Sequence, residues 1–227
     1  MTATPALTQL DTLLARRFSC RAYRQDPVPR GAIEAAMRTA QRTPSWCNTQ
    51  PWRVHIASGA SRDRLTESYF AVASSGVPGT SDIPFPEAYL GVYRDRRKVC
   101  GVQLYQALGI GRDEKERAQS QSLENFRGFG APHVAVLTTD RALGTYGALD
   151  CGLYLSSLML ALVAQGVDCI AQAALASYPQ VARAHFGLPD DRMVVCGLSF
   201  GYGARDASIN GYRTERAGLE DVLQWSE

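Results

Sequence analysis

The chain has 227 residues, 45% of them hydrophobic and 20% charged, and a net charge of +2. That is ordinary globular composition, long enough to bury a real core, and its near-neutral balance argues against a generic polyanion binder. Six cysteines, at 20, 47, 100, 151, 169 and 196, form no C-x-x-C and no short Cys/His pairing. A disulfide framework and a structural zinc site are therefore not expected; scattered thiols in a reducing cytoplasm are.

Met1–Gln9 lacks a basic stretch followed by an apolar run, so it does not read as a secretory leader. Leu7, Leu10, Leu13 and Leu14 repeat at helical spacing and predict a first amphipathic helix. A second helix follows Asp26-Pro27-Val28-Pro29, with Ile33, Ala36, Met37 and Ala40 on one face and Pro44 ending it. Trp52–Ala57 alternates large apolar side chains and predicts a strand. Helices are expected at 60–73, 87–108 and 113–125. The Gly-, Pro- and Ser-rich stretch 74–86 reads as a loop, and the whole of 74–125 as a helical lid or excursion.

Further strands are predicted at His133–Thr138, Cys169–Leu175 and Met193–Phe200. Between them, 146–165 predicts a helix apolar on nearly all sides, which must be buried centrally or between two subunits. Its longest apolar run, Cys151–Val167, falls short of the roughly 20 residues that span a bilayer, so no membrane is expected. A helix beginning at Ser177-Tyr178-Pro179 should stop at Gly187. Four strands among six or more helices predict one α+β domain over 1–227, with a small mixed sheet.

Four arginines fall within Arg16–Arg24. In extended backbone Arg17, Ser19 and Arg21 point to one side, and forked guanidinium donors with a hydroxyl suit a phosphate. A solvated basic turn explains the same cluster. Arg213 and Arg216 raise the same possibility. Pro44–Trp52 sets Asn48 and Gln50 between two prolines, where primary amides match the alternating C=O and N–H edge of a pyrimidine-like ring; Trp46 and Trp52 offer apolar walls. Gly201-Tyr202-Gly203 and Gly128-Phe129-Gly130 lack the rest of a dinucleotide fingerprint and read as turns. No acid–base machinery is evident, so a bound cofactor is the expected source of any chemistry.

Together these segments resemble the FMN-dependent nitroreductase family, and within it the nitrobenzoate-reductase-like branch. The likeness lies in Arg17-Phe18-Ser19-Cys20-Arg21-Ala22-Tyr23, in Pro44-Ser45-x-x-Asn48-x-Gln50-Pro51-Trp52, and in Asn125-Phe126 through Val134. It implies a nitroreductase-like fold, a long helix at a homodimer interface and two FMN sites there. Arg17, Phe18, Ser19 and Arg21 would hold the phosphate and ribityl end, with Arg216 as a further partner. Pro44, Ser45, Trp46 and Asn48 would come from the other subunit, with Gln50 supporting that loop. Ala173–Ala176, including Leu175, would line the ring with backbone groups. Many members carry a basic residue where Thr214 stands, and Arg213 is the substitute.

The implied activity is ping-pong oxidation of NADH or NADPH through flavin N5, with a nitroaromatic or quinone-like acceptor. No nucleic acid is expected as a partner. Dehalogenation, enone reduction, flavin fragmentation, or FMN binding without catalysis are the alternatives on the same scaffold.

Overall fold

The computed structural model describes residues 4–226; Met1–Ala3, part of the stretch read for a leader, lie outside them. The first helix, α1 (Pro5–Arg16), starts at a Thr4 cap whose side chain accepts from the Leu7 N–H. After α2 (Arg30–Ala40) and the proline-bracketed loop come β1 (Arg53–Ser58) and α3 (Ala60–Ser74). The excursion carries α4 (Gly91–Ala107) and α5 (Lys115–Leu123), shorter at both ends than the sequence reading. A turn over Glu124–Gly130 leads into β2 (His133–Asp140), then α6 (Gly144–Ala164), β3 (Asp168–Gln172), α7 (Pro179–Phe186) and β4 (Arg192–Gly201).

The strands form one sheet in the order β1-β2-β4-β3, with every neighbouring pair antiparallel. The mixed sheet expected from sequence is therefore corrected. The parallel contact found is an isolated bridge between Ser19 and Cys169, where the segment after α1 lies along β3. Too few residues pair there to make a strand. β3 also ends at Gln172, short of the predicted Leu175, because Ala173–Ser177 tightens into a 3-10 turn.

Period-two alternation places helices on both sheet faces. Ala135, Leu137, Leu198 and Phe200 pack with Ile33 and Ala36 of α2 and with Tyr154, Leu158 and Leu162 of α6. Val134, Val136 and Val194 point the other way, against Leu65 and Tyr69 of α3 and Val181 and Ala182 of α7. Two glycines are fixed by close approach. A Cβ on Gly197 would stand 2.4 Å from Leu175 Cδ1, and one on Gly201 2.5 Å from Pro132 Cδ.

Only one face of α6 enters the core. Tyr146, Leu149 and Leu153 on the other face are 60%, 57% and 46% exposed in the single chain. With the turn before it, Arg141–Ala164 reaches 24 residues, long and apolar enough to cross a bilayer by length and composition. This stretch is longer than the Cys151–Val167 run read from the sequence, and length and composition alone do not separate a core helix from a membrane span. Its inner face, however, is packed on the sheet in the manner of a core helix.

Candidate functional site

The extended segment after α1 alternates as expected. Phe18, Cys20 and Tyr23 are buried, whereas Arg17, Ser19 and Arg21 are half-buried and face outward. The backbone is held by the Cys20 N–H donating to the Cys169 carbonyl at 3.2 Å and by a bridge from Tyr23 to Gly203. The C-terminal tail crosses over this segment. As a result Arg17, Phe18, Ser19 and Arg21 line one cavity of about 540 Å³ together with Tyr212, Arg213, Thr214 and Arg216. Leu14, Ala15 and Cys100 complete its wall.

Four guanidiniums converge on this cavity, and among the described residues no carboxylate lines it. Among the described residues none of the four is in an ion pair. Such uncompensated charge calls for an anion. Arg213 stacks over the Phe18 ring at 4.0 Å, which fixes the plane of its fork. The nearby Arg205 is neutralised by Asp168 at 2.7 Å and stays outside the set.

Sequence reasoning missed Tyr212, which carries no local motif. Arg21 donates to its hydroxyl oxygen at 3.0 Å, leaving the phenolic proton for a ligand. Burial pushes the Tyr212 pKa up against the pull of the Arg21 charge, so the phenol stays protonated.

The loop from Pro44 lies elsewhere in the chain: none of Pro44, Ser45, Trp46, Asn48 or Gln50 lines the arginine cavity. It is seated on α6. The Trp46 N–H donates to both carboxylate oxygens of the buried Asp150 at 3.2 Å, and the Trp46 ring stands 5.6 Å from that of Tyr146. Its tip is strained, with φ of 51° at Cys47, 54° at Asn48 and 46° at Gln50. Positive φ at non-glycine residues costs of order 1–3 kcal/mol each and concentrates at functional sites. Side chains offset the strain: the Gln50 N–H donates to Ser45 Oγ at 2.9 Å, and the Gln50 amide donates to Asn48 Oδ1 at 3.2 Å. Gln41 then links Gln50 to the Trp52 indole.

The turn after β3 is the third predicted contact. Leu175 and Ala176 are 0% and 3% exposed and belong to the second core cluster. The expectation that they meet a ligand finds both packed inside, which leaves exposed Ala173 and half-buried Ala174 as the accessible part of the turn.

A profile of the nitroreductase family matches residues 14–202. The chain belongs to the nitroreductase family. It is 40% identical to nitroreductase NfnB of Mycolicibacterium smegmatis, over 95% of this chain and 92% of that protein. It is 31% identical to the 4-nitrobenzoate reductase of Pseudomonas putida, over 91% and 90% of the two lengths. Two solved structures superpose closely. The FMN-dependent nitroreductase NfnB from Mycobacterium smegmatis, in complex with NADPH, gives a TM-score of 0.92 at 39% identity, covering 97% of this chain and 100% of that one. The FMN- and NADPH-dependent NfnB of a Sphingopyxis strain (sphigopyxis sp. strain HMH) gives 0.90 at 33% identity, covering 96% and 98%. This nitroreductase is thus an oxidoreductase with the fold its sequence resembled, and it matches most of each relative's length.

Proposed function

We propose that this nitroreductase is an FMN-dependent NAD(P)H oxidoreductase acting on nitroaromatic or similar electron-poor acceptors, such as quinones. The cavity of four guanidiniums, with neither an ion pair nor a lining carboxylate among the described residues, carries the reading. The residues present fit the phosphate end of FMN: forked cations, the Ser19 hydroxyl and the Tyr212 phenol are all donors. FMN, when bound, supplies two-electron chemistry that takes electrons from NAD(P)H and passes them to the acceptor.

The chain's own part is to bind and orient. Arg17, Arg21, Arg213 and Arg216 neutralise the anion; Phe18 backs Arg213; Ala173 and Ala174 offer backbone at the edge of the sheet. Trp46, Asn48 and the loop around them are supplied to a second copy's cavity, with Gln50 bracing the loop from behind. This composite site requires a homodimer, and the exposed Tyr146, Leu149 and Leu153 stripe of α6 supplies the apolar face for it. Residues 74–125 form the acceptor gate of what we take to be one domain. The relatives' use of NADPH favours NADPH over NADH, and six free thiols fit a cytoplasmic setting.

The test is to purify the full chain, supply FMN, and follow NADPH oxidation with a nitroarene. Turnover that needs both FMN and the nitroarene supports the reading. Absence of flavin uptake overturns it; flavin uptake without turnover leaves only an FMN-binding protein.

A further inference from the structure

We propose that Asn210 is the positioning residue that locks the two arginine arms of the cavity into one phosphate site. The inference rests on the FMN reading above and goes beyond it, because Asn210 does not line the cavity. The arms come from opposite ends of the chain: Arg17–Arg21 follows α1, and Arg213–Arg216 lies in the C-terminal tail. Holding four like charges together without an anion is unfavourable, so something neutral must fix their spacing.

Asn210 is 5% exposed and spends every polar atom of its amide on that junction. Its Oδ1 accepts from the Arg21 backbone N–H at 2.8 Å, across 189 positions of sequence. Its Nδ2 donates to the Ala22 and Ala204 carbonyls, both at 2.8 Å. Its own backbone carbonyl accepts from the Arg213 guanidinium at 2.8 Å. Its side chain thus sets the backbone under Arg21, and its carbonyl shares the Arg213 guanidinium with the Tyr212 carbonyl, also at 2.8 Å. The Ala22–Ala204 contact beside it, with the Ala204 N–H donating to the Ala22 carbonyl at 2.9 Å, closes the same seam.

The side chain must combine acceptor and donor, and it must be uncharged. An alanine would leave the Arg21 N–H and the Nδ2 sites on the Ala22 and Ala204 carbonyls without this partner. An aspartate would keep the acceptor, lose the donors, and place a carboxylate beside arginines that need to remain free for an anion.

The experiment compares FMN with riboflavin, which lacks the phosphate, by fluorescence titration of the full chain freed of flavin. The proteins are wild type, Asn210→Ala and Asn210→Asp, with near-UV circular dichroism confirming the fold. Wild type should prefer FMN strongly, with inorganic phosphate competing. Both variants should weaken FMN by roughly tenfold, the effect of losing about 1.4 kcal/mol of orienting hydrogen bonds, and leave riboflavin affinity unchanged. Unchanged FMN affinity in either folded variant, equal weakening of both flavins, or loss of fold in both variants would overturn the positioning role alone. A wild type indifferent to the phosphate would overturn the cavity's reading as a phosphate site as well.

Discussion

At the start of β2, His133 is 4% exposed and stacked on Phe200. Its Nε2 accepts from the Val28 N–H at 2.9 Å, so its proton sits on Nδ1, 2.6 Å from Ser58 Oγ. Burial, with Arg62 adding to it, holds its pKa below 6.5. Above pH 6.5 both folded and unfolded forms are neutral and stability is full. As the pH falls below 6.5 the unfolded chain takes a proton that the folded one refuses, so stability drains until the lower folded pKa is passed. The thermal midpoint should therefore fall between pH 7.5 and 5, and less steeply in His133→Gln; identical slopes would contradict this. Asp150, on α6, is the second buried group with a defined duty. Replacing it with alanine strands the Trp46 N–H and should cost about 1–3 kcal/mol in urea denaturation; Asp150→Asn, which keeps an acceptor, should cost less.

At the scale of elements, the 74–86 stretch is pinned rather than free. Asp82 accepts from Arg183 at 2.6 Å, from Arg141 at 2.7 Å and from the Val194 N–H at 2.8 Å. Burial alone would raise its pKa; the Arg183 bond, the Val194 N–H and Arg141 outweigh it and hold the carboxyl below its usual value. The Tyr178 hydroxyl donates to the Val77 carbonyl, and the Thr80 N–H to the Ser177 carbonyl. Asp82→Ala leaves the half-buried Arg183 without its carboxylate and the Val194 N–H without its acceptor, and should cost about 1–3 kcal/mol by urea denaturation, with faster proteolytic cleavage in 74–86. Wild-type cleavage rates in that variant would show the anchor to be idle. None of this was legible in the sequence, where 74–86 reads as a loop: the partners of Asp82 lie 59 to 112 positions away. The extended Arg17–Arg21 alternation was legible because period two needs no distant partner. The prolines around 44–52 marked a restricted loop, but positive φ at Cys47, Asn48 and Gln50 left no trace, since glycine occupies none of those positions. Asn210 was invisible for a related reason: a lone amide in a polar tail has no pattern until the tail folds back on Ala22 and Ala204.

For the molecule as a whole, the arginine cavity and the strained loop stand apart in one chain, and both lie beside apolar surface that the chain leaves open. The homodimer proposed above accounts for both facts. Leu149→Asp combined with Leu153→Asp should convert a dimer to a monomer by light scattering and weaken FMN binding, although neither residue touches the arginines. A dimer that survives, or a monomer that binds FMN as well as wild type, would contradict the composite site. Arg17 and Arg21 form no ion pair among the described residues, so Arg17→Ala with Arg21→Ala should lower flavin content with little change in thermal midpoint. The decisive measurement is the visible spectrum of the purified full chain, followed by identification of the flavin released by acid. The protein should be yellow and release FMN in equal molar amount to the chain; a colourless protein that takes up no FMN when it is offered would contradict the phosphate-site assignment.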